Sequence, residues 1–309
     1  KDLDAKGALN YRWGGDWTTV MYDEVALSRW VEDAVREAGV TVILGAVLRR
    51  AGRDGRRVTE LEIATRYGDL LVEAEGFVDA SGDAALAWLA GLPCREPDDG
   101  PVYGTQMLVL EGINEDEHPT REKMTARLGE KGRDYGMVRV DGFSFLFSGR
   151  GTALINMTHV ETPLEPVAAT ARALEGKAQT DKVVDFLKAE YPAAFGDARV
   201  RAYGFPGIRQ TRWIVGAHHL TVDEVREGKK FDDAVARCAW AIELHDKPEA
   251  IYWESFGHDH VHYVPLGSLT PPDADNLLAV GRCIDADVSA LSSVRVMGPC
   301  IATGAAAAH

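Results

Sequence analysis

Apolar and polar positions divide the chain into segments of different period. Leu27, Trp30, Val31, Ala34, Val35 and Ala38 recur at i, i+3, i+4 and i+7, which predicts an amphipathic helix over Glu24–Ala38 with one buried stripe. Asp23 suits its N-cap and Gly39 the position just beyond its end. The run from Val40 to Leu48 then predicts a buried strand. Asp54-Gly55 and Tyr67-Gly68-Asp69 are turn signals, so Val58–Ala64 and Leu70–Ala74 predict two further strands of an antiparallel meander. Gly76–Asp79 predicts another buried strand, running into Ala80-Ser81-Gly82-Asp83 and a helix that ends near Gly91. Ser81 can cap that helix, and Asp83 suits its first turn.

The texture changes after Gly100. Val102–Glu111, Phe143–Phe147 and Thr152–Met157 predict strands, with helices near Arg121–Lys131 and Leu164–Glu190. Strands return at Val200–Tyr203, Ile208–Val215, Val261–Leu266 and Asn276–Gly281, and a small-residue helix begins by Pro299. The expected division is residues 1–100 and 274–309 as two parts of one domain, with 101–273 as an inserted α+β domain.

Composition narrows the function classes. Apolar residues make up 46% and charged residues 27% of the 309, an ordinary globular balance. Lys and Arg number 34 against 48 Asp and Glu, a net charge of −14 that disfavours binding to a phosphate backbone. No apolar run is long enough for a membrane span. Cys94, Cys238, Cys283 and Cys300 show no CxxC spacing, which fits a reducing, cytoplasmic setting better than a disulfide scaffold. Neither a GxSxG elbow nor a P-loop occurs, so serine hydrolase and nucleotide kinase chemistry are poor fits.

Three segments carry candidate chemistry: Phe77–Asp83; Gly207-Ile-Arg-Gln-Thr-Arg212; and Asn276–Ile284 followed by Ser292–Gly304. Together they resemble the FAD-dependent oxidoreductases of the glutathione-reductase-like, two-dinucleotide-binding-domain superfamily. The resemblance covers most of residues 20–90 and 205–309. It implies an α/β fold: a Rossmann-like FAD-binding core interrupted by a substrate domain. It also implies FAD as cofactor and hydride transfer between FAD and a small organic substrate. By the resemblance Val47, Ala80, Ser81, Gly82 and Asp83 belong to the cofactor site. Gly281 and Arg282 lie near the ribityl chain or pyrophosphate, and Ser293, Val294, Arg295, Val296 and Met297 run along the flavin ring. Pro299 suits a helix start, whose amides would stabilise negative charge on the reduced ring.

The superfamily opens with a strand, a GxGxxG turn and a helix, and no GxGxxG occurs here. The expectation is a chain that begins inside its first domain, with the missing finger trimmed away or supplied by a separate N-terminal chain; a homo-oligomer is also possible. On its own, Ala80–Asp83 also reads as an ordinary capped helix start.

Arg209 and Arg212 offer guanidinium forks for a carboxylate or polarised oxygen, or else interdomain salt bridges. Gln210 stands where the family pattern has glutamate. Arg209 is the first choice for substrate binding, with Arg212, His260 and Arg295 as further catalytic-site candidates. His258, His260 and His262 alternate and would share one face of a strand. That spacing permits a metal-dependent hydrolase, a proton-transfer histidine beside the flavin, or a plain polar strand face. A third possibility is a non-catalytic subunit or fragment of a flavoprotein.

Overall fold

The computed structural model describes residues 2–14 and 17–309. Its architecture is mixed α/β, and the parallel element is small. Phe77–Asp79 pairs in parallel with Leu277–Ala279, residue 77 opposite 277. Two strands separated by 200 positions are thereby fused, and their carboxyl ends open side by side. Beside them lies the predicted meander of Val47–Asp54, Arg57–Thr65 and Gly68–Glu73, all antiparallel. Its first turn places Gly55 at φ +55°, a conformation that favours glycine. Asn276 ties the meander to the parallel pair, accepting from Val58 N at 2.9 Å and donating to Val58 O at 2.9 Å.

A four-stranded antiparallel sheet forms the second region, in the order Arg199–Gly207, Thr105–Glu111, Thr152–Asn156, Phe143–Phe147. The long helix Pro166–Glu190 packs across it and buries Val183, Phe186 and Leu187 against Leu108, Leu110 and Ile155. Glu165 caps the helix by accepting from Val167 N and Ala168 N, and Pro166 occupies its first position. A further apolar cluster joins Trp213, Leu220, Ile242 and Val264 to Leu291 and Val294 near the C-terminus. Among the described residues no helix is long and apolar enough to cross a membrane.

Three expectations fail here. The helix forms as Glu24–Glu37, with Asp23 accepting from Ala26 N, yet it buries none of its residues. Trp30 and Val31 remain 39% and 45% exposed, so the stripe is not a core stripe. Residues 40–46 form no strand, and the meander begins only at Val47, because no neighbouring strand supplies ladder partners there. Ile208–Val215 shrinks to Trp213–Ile214, since residues 208–212 turn instead to meet other segments.

Candidate functional site

The three segments singled out by sequence converge at the open ends of the parallel pair. Asp79, at the end of its strand, organises the turn that follows. Its Oδ1 accepts from Ser81 N and Ser81 Oγ at 3.0 and 2.6 Å. Its Oδ2 accepts from Leu86 N and Ala87 N at 2.9 and 3.1 Å. Cys283 Sγ accepts from Gly82 N at 3.1 Å and Ala84 N at 3.3 Å. Desolvation pushes this thiol up to about 12, so it sits there as a neutral thiol. Most amides of the Ala80–Asp83 turn are therefore held within the protein. The short helix starts at Ala85, so Asp83 precedes its first turn and instead accepts from Thr211 Oγ1 at 2.5 Å. Ser81 still acts as a local cap, accepting from Ala85 N at 2.9 Å.

Gly82 has φ +81°, and a methyl group there would run into the Arg282 guanidinium. Arg282 in turn donates to Ile208 O at 2.7 Å. Gly281, at φ +64°, donates its amide to Thr303 Oγ1 at 3.2 Å. The turn after Asp79, the 207–212 segment and the C-terminal helix thus meet at one corner.

Around that corner the predicted residues separate. Ser293 and Val294 are buried in the helix Val288–Val294, not laid along a surface. Arg295, Val296 and Met297 follow them, and the last helix runs Met297–Ala307. Val296 supplies no side-chain cap to the helix start, and Met297 is 52% exposed. Val47 lies at the exposed start of the meander. Arg212 stacks over Trp88, 4.0 Å from the ring centroid, and reaches Glu96 at 3.3 Å, whereas Arg209 has other partners.

Arg209 donates to Tyr103 O and Thr105 Oγ1, both at 2.7 Å. Arg295 Nη2 donates to Glu243 O at 3.1 Å, and its buried Nε has no partner among the described residues. Neither guanidinium has a salt-bridge partner among those residues. Desolvation, and for Arg209 also the charge of Arg295, lowers them to about 9 and about 10, so both remain cations at neutral pH. The buried Gln210 amide has no partner at either atom among the described residues.

One carboxylate feels both arginines. Glu243 leads into a chain of three hydrogen bonds that sequence reasoning missed. Its Oε1 meets His245 Nε2 at 3.1 Å, His245 Nδ1 meets His159 Nε2 at 2.8 Å, and His159 Nδ1 meets Pro248 O at 3.0 Å. Trp240 Nε1 donates to Glu243 Oε2 at 3.0 Å, and Tyr103 stacks on His159. Burial raises Glu243, but the His245 hydrogen bond and the charges of His245, Arg295 and Arg209 outweigh it and hold the carboxyl at about 2. Burial pushes His245 down to about 4 and His159 to about 2. Glu243 and His245 alternate along and just past the strand Ile242–Leu244, so their shared side was a readable signal.

The His258, His260 and His262 side chains do not share a strand face. The strand begins at His262, and the exposed His258 pairs with Asp259. His260 Nε2 meets His262 Nδ1 at 3.1 Å, and His262 Nε2 meets Ser293 Oγ at 2.9 Å. Among the described residues no group of three His, Cys, Asp or Glu side chains is arranged to hold a metal ion.

No curated protein matches the chain. Among solved structures, the flavin-dependent brominase Bmp2 triple mutant is 11% identical over 94% of this chain and 57% of its own, with a TM-score of 0.42. MibH, a lathipeptide tryptophan 5-halogenase, is 12% identical over 99% of this chain and 43% of its own, with a TM-score of 0.39. OxyS anhydrotetracycline hydroxylase from Streptomyces rimosus is 13% identical over 64% of this chain and 35% of its own, with a TM-score of 0.34. The chain thus spans between 35% and 57% of the length of these three structures. A family model described as FAD dependent oxidoreductase matches residues 1–309, and the chain belongs to that family.

Proposed function

We propose that the chain transfers a hydride between a small organic substrate and FAD, with the substrate held at the Arg209–Arg295 corner. The observation that carries this reading is a pair of guanidiniums with no salt-bridge partner among the described residues, carried on two of the segments that meet at that corner. The residues present fit a flavin. Arg295 Nε is an unsatisfied buried donor beside an uncapped helix start, and that start favours negative charge. Gly281, Arg282 and the Arg295–Met297 stretch would hold the cofactor, within a Rossmann-like core of residues 1–100 and 274–309 served by a substrate domain at 101–273. The Ala80–Asp83 turn supports that site from behind, because its amides are spent on Asp79 and Cys283.

FAD supplies the two-electron chemistry when bound. The chain's own residues bind, orient and manage charge. Arg209 is fixed by Tyr103 O and Thr105 Oγ1, so its guanidinium is preorganised to grip a carboxylate or polarised oxygen. Arg295 would add a second positive charge to the same site.

Arg209→Lys tests the assignment, because lysine keeps the charge and loses the fork. The expected result is a fall of about 10- to 100-fold in kcat/KM with the flavin absorbance of the purified protein unchanged. Unchanged kcat/KM in a flavin-loaded variant removes Arg209 from the site.

A further inference from the structure

The Glu243–His245–His159 chain does not balance its protons. Three hydrogen bonds need three bridging protons. The far end is a carbonyl, so His159 Nδ1 must donate to Pro248 O. His159 Nε2 is then an acceptor, and His245 Nδ1 must donate to it. A neutral His245 would leave Nε2 as a bare lone pair facing the Glu243 carboxylate, which also only accepts. Two neutral imidazoles supply two protons where the chain has three places.

The surroundings explain why the third proton is not held unconditionally. Arg209 and Arg295 both bear on Glu243 and His245, and Arg139 and Arg209 both bear on His159. Arg139 is itself engaged by Asp141 and Asn156. Tyr103 and Trp240 complete the surround, as a stacked ring and a neutral donor. Repulsion from these two guanidiniums, which have no acid partner among the described residues, therefore opposes an added proton. An anion lying between those guanidiniums would remove that repulsion.

We infer that the Arg209–Arg295 corner takes a carboxylate ligand together with one proton, and that the Glu243–His245–His159 chain holds the proton. The ligand neutralises the arginines, and the proton completes the third hydrogen bond between Glu243 and His245. Binding of each then favours the other by the same factor. His245 and His159 are positioning residues for this site; Arg209 and Arg295 meet the ligand. No bond other than to the transferred proton forms or breaks, and the proton comes from solvent. This inference rests on reading the corner as the substrate site, and it names the substrate class as carboxylates.

The test uses acetate as the probe and the whole oxidised, flavin-loaded chain. Calorimetric titration in two buffers of different ionisation heat reads affinity and proton uptake together. Uptake of close to one proton per acetate is expected, with Kd weakening about tenfold for each pH unit once the free site has lost the proton. Glu243→Gln donates an N–H to His245 Nε2 and completes the chain without a titrating proton, so its acetate affinity should be flat with pH and its uptake near zero. If that variant does not fold, His159→Gln still accepts from His245 and should retain the uptake. Absence of acetate binding, binding without proton uptake, or an unchanged pH slope in Glu243→Gln each overturns the inference. Turnover is not part of the readout, so an intact hydride-transfer activity beside any of those results leaves the oxidoreductase reading standing.

Discussion

Two histidine pairs meet through Trp240, whose ring donates to Glu243 and whose carbonyl accepts from Ser293, and they differ in what stands at their ends. In the first, His260 donates to His262, His262 donates to Ser293 Oγ, and the serine hydroxyl donates to Trp240 O at 2.6 Å. Every hydrogen bond there has its proton when both rings are neutral. In the second, a ring-to-ring hydrogen bond likewise leads to an end group, here the Glu243 carboxylate, and the count comes up one proton short. Either end group can receive a proton from a ring; the difference is that the second chain also ends on Pro248 O, so acceptors stand at both of its ends. Acceptors at both ends make that pair a charge-sensitive device beside two arginines and leave the other a structural strut.

The comparison is broken most strongly by deleting the middle ring of each chain. His245→Leu leaves Glu243 and His159 facing apolar atoms in a buried setting and is expected to cost about 3–5 kcal/mol in denaturant unfolding. His262→Leu, whose neighbour Ser293 keeps its bond to Trp240 O, is expected to cost about 1–2 kcal/mol. Equal costs would show that the carboxylate end makes no difference.

Acid acts on both pairs next, since burial lowers His245 to about 4 as well. Burial, aided by the charge of His260, lowers His262 from 6.5 to about 4. Between those values the unfolded chain takes a proton that the folded one refuses, so stability falls as pH drops through that window. The share of His262 in that loss is about 3 kcal/mol below pH 4, measured by unfolding at stepped pH; His262→Gln should remove that share and leave the part carried by His245 and His159.

The subtlest change rewrites the end of the balanced chain. Ser293→Asp replaces a hydroxyl that both donates and accepts with a group that only accepts. The His262 ring should then titrate about 1–2 units higher by nitrogen-15 NMR. An unmoved titration would mean that burial, not the terminal group, governs the ring.

Much of the scaffold was legible in the pattern. Phe143–Phe147 and Arg121–Lys131 form over the residues their spacing predicts, and Asp23 caps the helix it precedes. The segments around Asp79, Arg209 and Gly281 also meet as their motifs led one to expect. Local propensity overreached at residues 40–46, where an apolar run lacks a partner strand. It overreached again at the three alternating histidines, where a strand was assumed one turn too early. His159 and His245 could not be paired from sequence, because 86 positions separate them and neither belongs to a motif.

The chain by itself determined which segments are helical or extended, and which short motifs of glycine, arginine and proline mark a flavoprotein of this family. Those properties are local, carried by periodicity and turn chemistry within about a dozen residues. Only the tertiary structure decided that Asp79 and Cys283 consume turn amides, that two arginines stand without acid partners among the described residues, and that a carboxylate closes one histidine pair while a hydroxyl closes the other. Such matters depend on which donor meets which acceptor after distant strands come together, and no local pattern encodes that.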